Sequence, residues 1–321
     1  MKKLLSILIF ILCFSSLANA ATITATKAGN WSDTTVWDLG RIPAAGDDVA
    51  LAGYAIVWDS GARIPATSGT LTSITSTGTA GQITLDLSSA FCNSGCSLNA
   101  TKIQAGAGKA TWATTGILLI SGTTANVLTI NTGTKPNGIV GGSGATGYPL
   151  TINHQGTGTI NVIGDIIGNN NTYGIGFINA STGAVNVTGN MYQDDIGAGC
   201  RAFGNNSTGV VTVNGNLTGG YTGTSADAAL YNASTGSVIV NSGIITGGNN
   251  CQGFGLFNYS SGHITFVPTV ILVYGTKGPP YGGLAPAWQP TSGGYKFYYG
   301  TGFGQAANTL TTLPIARVGS F

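Results

Sequence analysis

GTGTINVIGD from Gly156, STGAVNVTGN from Ser181, STGVVTVNGN from Ser207 and STGSVIVNSG from Ser234 are four versions of one phrase. SSGHITFVP from Ser260 is a degraded fifth, and the copies recur with a drifting period of about 26 residues. Repeats of this length mark a solenoid, in which each unit buries its apolar face against its neighbours. The unit has no helical periodicity. It holds short β-prone runs between Gly, Asn, Thr and Ser. The expected fold is therefore all-β: a right-handed single-stranded parallel β-helix of about eight coils, capped at both ends.

Aligning the phrase on Gly158, Gly183, Gly209, Gly236 and Gly262 sorts the surrounding residues into columns. Two and four places on stand Ile160 and Val162, Val185 and Val187, Val211 and Val213, Val238 and Val240, then Ile264 and Phe266. Between them lie Asn161, Asn186, Thr212, Ile239 and Thr265. This is period-two alternation with one face buried, and stacked coils would place like residues about 4.8 Å apart. Six places before each glycine is a second inward column: Ile152, Phe177, Phe203, Leu230 and Leu256. Four places before stand Asn179, Asn205, Asn232 and Asn258, with His154 in the same column of the first coil. Side-chain amides in register can bond up and down a stack and to turn backbone. These residues are expected to form a structural ladder.

The first twenty residues, MKKLLSILIFILCFSSLANA, have a basic start, an apolar middle and an Ala18-Asn19-Ala20 tail. They read as a cleavable secretory signal peptide, which places the mature protein outside the cell or on its surface. No later stretch reaches membrane-spanning length without polar residues. Removing Lys2 and Lys3 takes the formal charge from +2 to zero, which argues against nucleic acid as a partner. Charged residues are only 7% of the chain, Glu is absent, and 52 glycines carry no Gly-X-Y period. The aliphatic columns distinguish this chain from a disordered one of similar glycine content.

Cysteine usage suits an oxidising compartment. Cys92 and Cys96, in CNSGC, are expected to close a local disulfide. Cys200 and Cys251 lie in equivalent loops two coils apart. Two strand spacings are about 9.6 Å, beyond the roughly 7 Å that a disulfide allows between α-carbons. They pair only if the loop near Asp227 bulges away; otherwise both remain free. Neither spacing nor ligand type suggests zinc, and no cofactor is expected.

Ahead of the clear repeats, TLTSI at Thr70, QITLDL at Gln82, GILLI at Gly116, VLTI at Val127 and PLTI at Pro149 read as less regular coils. The expected organisation is a signal peptide over 1–20, an N-terminal cap and first coil over 21–65, the β-helix over 66–275, and an aromatic-rich cap or appendage over 276–321. A solenoid end exposes a strand edge and an open core, so it must be covered.

Residues 28–59 carry Trp31, Trp37, Gly40, Pro43, Gly46, Asp47 and Val49 in a spacing that resembles the opening of many secreted bacterial β-helix proteins. The later repeats resemble those of filamentous-haemagglutinin-like adhesins and of the pectin-lyase-like superfamily. The resemblance implies the fold and an extracellular location. It is compatible with adhesive, structural and enzymatic β-helices alike. Physically, Trp31 and Trp37 can plug the open core, and Asp47 or Asp48 can accept hydrogen bonds from a turn.

A polysaccharide lyase or glycoside hydrolase working in a groove of the helix needs converging carboxylates or a calcium site with a base. The best cluster on offer is Asp165, Asp194, Asp195 and Arg201. However, Asp165 takes a column otherwise held by Asn190 and Asn216, which suits a turn. His263 is flanked as Gly-His-Ile, and the polygalacturonase motif set is missing. At the C-terminus, Tyr281, Trp288, Tyr295, Tyr298 and Tyr299 can either fold over the last coil or present a face to glycans or another copy of the chain. The leading expectation is a non-enzymatic secreted or surface adhesin or structural protein, with glycans or itself as partner.

Overall fold

The computed structural model describes residues 20–320 apart from 67, 77–80, 107–116, 143–149, 169–173, 194–200, 221–226, 248–252, 259–263, 267–269, 274–280, 284–294 and 300–314. The chain winds as a parallel β-solenoid with almost no helix, and it fits a right-handed parallel β-helix. The phrase that opens each repeat supplies the strands of a first wall: Thr159–Ile163, Val185–Thr188, Val211–Asn214 and Val238–Ser242. A tight corner leads to the second wall: Ile166–Gly168, Met191–Gln193, Leu217–Thr218 and Ile244–Thr246. The third wall is Ile175–Asn179, Arg201–Asn205, Asp227–Asn232 and Gly253–Asn258. Each strand pairs in parallel with its counterpart one coil away. One early strand, Cys96–Ala105, is long enough to serve the first wall with its start and the second with its end.

The aligned columns become columns of side chains. Ile160, Val185, Val211, Val238 and Ile264 are in direct register, as are Val162, Val187, Val213, Val240 and Phe266. From Ile160 to Val240 these side chains are fully buried. Ile152, Phe177, Phe203, Leu230 and Leu256 form the matching column of the third wall. Phe177 and Phe203 stack there with ring centroids 4.9 Å apart. Each strand is too short to be stable alone; the shared aliphatic interior is what each repeat contributes to its neighbours.

The N-terminal end is closed by different means. Trp31 and Trp37 are buried edge to face, with centroids 5.0 Å apart, and Trp37 Nε1 donates to the Trp31 carbonyl. Among the described residues the strand Thr22–Thr24 pairs on one side only, with Asp48–Ala50. The Thr24 N–H donates to the Asp38 carboxylate, and the Thr24 carbonyl accepts from the Asp38 N–H. Arg41 grips Asp47 with two nitrogens, at 2.6 and 2.9 Å. Asp47 also accepts from the N–H groups of Ala44 and Ala21. Burial works against this carboxylate, but the Arg41 and backbone hydrogen bonds outweigh it and hold its pKa below the ordinary value. Gly46, at φ 88°, makes the turn that aims it. Cys92 and Cys96 form a disulfide with α-carbons 5.0 Å apart.

Candidate functional site

Of the four residues on which an enzymatic reading rests, Asp194 and Asp195 lie outside the described residues. Asp165 and Arg201 are described, and they serve different partners. Asp165 is buried at the corner between the first and second walls, just after Gly164 at φ 130°. Its Oδ2 accepts the Lys135 N–H and its Oδ1 the Asn190 N–H, both at 2.8 Å. The column continues upward: Asn190 Oδ1 accepts from the Asn216 N–H at 2.9 Å, and Asn216 Oδ1 from the Ile244 N–H at 2.8 Å. Asp165 is thus the lowest rung of a corner ladder. A carboxylate suits this rung because donors approach from both sides, whereas an amide would turn its NH₂ toward one of them.

Arg201 lies on the outer face of the third wall, 5% exposed. Its guanidinium carbon is 3.6 Å from the centroid of the Tyr231 ring, and Tyr231 in turn stacks on Phe257 at 5.6 Å. Leu150, Ile175 and Ile178 make a separate buried apolar cluster. The third wall is therefore closed to solvent on both faces through this region. The remaining described carboxylates are also acceptors within the fold. Asp33, Asp38, Asp47, Asp59 and Asp86 take backbone N–H groups, and Asp48 takes the Ser73 hydroxyl. Among the described residues, no three His, Cys or acidic side chains cluster as a metal site. Among them, too, no helix is long and apolar enough to cross a membrane.

The Asn column is a continuous buried chain of hydrogen bonds. Asn179 Nδ2 donates to Asn205 Oδ1 at 3.1 Å, and Asn205 Nδ2 to Asn232 Oδ1 at 2.9 Å. Nδ2 of Asn179, Asn205 and Asn232 also donates to the carbonyl of Gly183, Gly209 and Gly236 respectively, each within its own coil. This explains the repeated glycine. A β-carbon at Gly209 would stand 2.6 Å from Asn179 Nδ2 and 2.3 Å from the Gly183 carbonyl oxygen. Asn258 is in register with Asn232, but its side chain lies outside the described residues. His154 heads the ladder, fully buried, with Nδ1 3.0 Å from Asn179 Oδ1. Because both Asn179 N–H bonds are spent elsewhere, its Oδ1 accepts and His154 Nδ1 carries the proton. His154 Nε2 has no partner among the described residues. Burial lowers the His154 pKa to about 4, against a smaller upward effect from the Asn179 hydrogen bond.

The first wall presents the most regular accessible surface. Thr129, Asn161, Asn186, Thr212, Ile239 and Thr265 stand one above another on its outer face, all half-buried. Beside them runs a second column with Asn131, Ile163, Thr188 and Asn214. From Thr129 to Thr265, and from Asn131 to Asn214, these columns carry no ionisable side chain; below Thr129 the first column runs through Ser97 to Arg63. Asn186 Nδ2 donates to Asn161 Oδ1 at 2.9 Å, and Asn131 Nδ2 to Asn99 Oδ1 at 2.8 Å.

At the C-terminal end, Tyr281 belongs to a strand of the third wall, Tyr281–Gly283. Tyr295, Tyr298 and Tyr299 belong to Tyr295–Tyr299, which pairs with Ile271–Val273. The side chains of these four tyrosines, and Trp288 entirely, lie outside the described residues, as do residues 1–19, Cys200, Cys251 and His263. The contacts that the residue pattern did not point to are the Arg41–Asp47 pair, the Arg201–Tyr231 stack and Lys135 Nζ, 4.9 Å from the Tyr192 ring centroid. Each joins residues of different type from different coils or turns, so no column contains them. Comparison with known proteins gave no match to a family model, a curated protein or a solved structure.

Proposed function

We propose that this protein is a non-enzymatic adhesin or structural component, exported through its first twenty residues and held outside the cell or on its surface. The observation that carries this reading is the contrast between its carboxylates and its first wall. Every described carboxylate is an internal acceptor, Asp165 included. The first wall, in contrast, offers a long, repetitive surface that is uncharged from Thr129 to Thr265. A catalytic site needs a few groups free to meet a substrate; an adhesive or structural face needs regularity along its length. The signal-like N-terminus and the adhesin-like repeats support the location and the class.

The test is to express the full chain in a secreting bacterium, locate the mature protein, and measure binding to cells and to a panel of acidic and neutral polysaccharides, with product release followed in parallel. The reading expects extracellular or surface protein, binding, and no released product. Product release that disappears in folded Asp194→Asn and Asp195→Asn variants would replace it with a lyase or hydrolase.

A further inference from the structure

The outer face of the first wall has a geometry of its own. Parallel pairing sets like positions about 4.8 Å apart along the solenoid axis, and alternate residues along a strand about 6.7 Å apart. Thr129, Asn161, Asn186 and Thr212 in one column, with Thr188 and Asn214 in the next, therefore mark out a flat rectangular grid of hydroxyl and amide groups. We propose that this grid is a lengthwise binding site for an uncharged, hydroxyl-rich polysaccharide chain lying along the solenoid axis. The inference rests on the adhesive reading and names the face and ligand class through which it would act.

Three observations point to this occupant. First, the stretch from Thr129 upward contains no ionisable group, and Arg63, two rungs below Thr129, donates to the Gly69 carbonyl, so an anionic polymer on the grid gains no ion pair there, while a neutral one loses none on desolvation. Second, the grid is pre-ordered. The Asn186–Asn161 hydrogen bond holds both amides in place, and each amide keeps hydrogen-bonding capacity for a partner. Ligand binding then immobilises little that was free, which is where much binding energy is otherwise lost. Third, the grid includes an apolar spot: Ile163, 48% exposed, lies between Asn131 and Thr188 in the second column. A sugar ring presents C–H faces as well as hydroxyls, and such a spot accepts the former. A single hydrogen bond on an accessible surface has a small net effect, about 0.5–1.5 kcal/mol. Recognition must therefore come from many rungs engaged together, and affinity should rise with the length of the polysaccharide.

The experiment measures depletion of the full mature chain by insoluble cellulose, chitin, mannan and β-1,3-glucan, with polygalacturonate as the anionic comparator. Calorimetry with soluble oligosaccharides of increasing length follows for any polymer that binds. The test variant is Asn161→Ala/Asn186→Ala/Thr212→Ala. Its control is Thr218→Ala/Thr246→Ala on the outer face of the second wall. Thr188→Arg, at an exposed position, obstructs the grid while leaving the hydrogen bonds described above in place and serves if the triple variant unfolds. The expected result is binding to at least one neutral polymer, stronger for longer chains, and lowered about 10-fold or more in the triple variant and in Thr188→Arg but not in the control. Binding that survives in folded grid variants would overturn this assignment and leave the adhesive reading standing, as would preference for polygalacturonate. If a concentration-dependent dimer is lost in the same variants and no polysaccharide binds, the face is a self-contact and the proposal fails. No binding to any polysaccharide, cell surface or second copy would remove both.

Discussion

The N-terminal cap, up to about the disulfide, and the repeats from Leu150 to Asn258 satisfy their polar groups in different ways. Six of the ten acidic residues lie before residue 90, and the cap uses them one by one. Asp38 closes the strand edge, Asp47 clamps Arg41, and Asp59 accepts the Ser32 N–H. The repeats are sparser in charge, with Asp165, Asp194, Asp195, Arg201 and Asp227 spread over more residues. Their polar interior is one motif copied upward, an Asn that bonds its own turn and the next Asn. The difference follows from position. A coil in the middle has an identical neighbour on each side, so one residue type can satisfy itself repeatedly. The terminal coil has a neighbour on one side only, and each orphaned donor needs its own acceptor.

The largest effect should come from breaking the interior of the repeats. Val211 is fully buried between Val185 and Val238. Val211→Asp places a carboxylate there with no partner and should destabilise the fold by about 5 kcal/mol, or prevent folding altogether. Chemical denaturation of the purified variant, or its absence from the soluble fraction, measures this. Asn205→Ala comes next. It removes the middle rung: one buried Asn179 N–H loses its acceptor, and Asn232 Oδ1 and the Gly209 carbonyl lose the Asn205 donor, for an expected loss of about 3 kcal/mol. If Asn205→Ala cost less than Asp47→Asn, for which about 2 kcal/mol is expected, the repeats would not be the better-insured region and the comparison would invert.

Acid should separate the two regions by pH. The folded-state pKa of His154 is lowered to about 4 from 6.5. The unfolded chain therefore binds the proton first, and stability falls as pH drops from about 6.5 toward 4. The full loss is about 3 kcal/mol below that window, since each pKa unit is worth about 1.4 kcal/mol. Asp47 acts in the same direction but lower. Its pKa is held below the ordinary 3.8, so the stability it provides is present above that value and lost as pH falls through its folded pKa. His154→Asn extends the Asn column by one rung and should flatten the stability profile between pH 6.5 and 4 while leaving the loss at lower pH intact. Thermal melts of both proteins across pH 3–8 test this, and an unchanged slope in the variant would exclude His154 as its source.

The same division governs what could be read from the residues alone. The walls were legible because burial in a solenoid repeats: Val185, Val211 and Val238 occupy one position three times, and Asn179, Asn205 and Asn232 another. The corner column of Asp165, Asn190 and Asn216 was legible for the same reason, including its preference for a turn. What repetition cannot expose is a contact made once. Arg41 and Asp47 are six residues apart in a segment without a period, and Arg201 meets Tyr231 only because the third wall sets Arg201 beside Ala228 and Gly204 beside Tyr231. The state of His154 Nε2, without a partner among the described residues, was similarly hidden. A column shows that His replaces Asn, but not which ring nitrogen the ladder uses.

The smallest expected effect tests whether the first wall is a working surface or simply the polar side of a strand. Thr212 is half-buried on that face, between Asn186 and Ile239. No side-chain hydrogen bond from its hydroxyl contributes to the ladders described above. Thr212→Val keeps the shape and β-branching that a strand favours, and it removes one hydroxyl from the grid. Ile239, one coil along in the same column, already shows that the fold accepts an aliphatic residue in this position. The stability change should therefore lie within about 0.5 kcal/mol, read by denaturant titration. A larger loss would mean that the hydroxyl stabilises the solenoid itself, and the outer columns would then belong with the Asn ladder as structure. A change within that range leaves the retention of Thr and Asn along the face without a folding reason, which is what a binding surface requires.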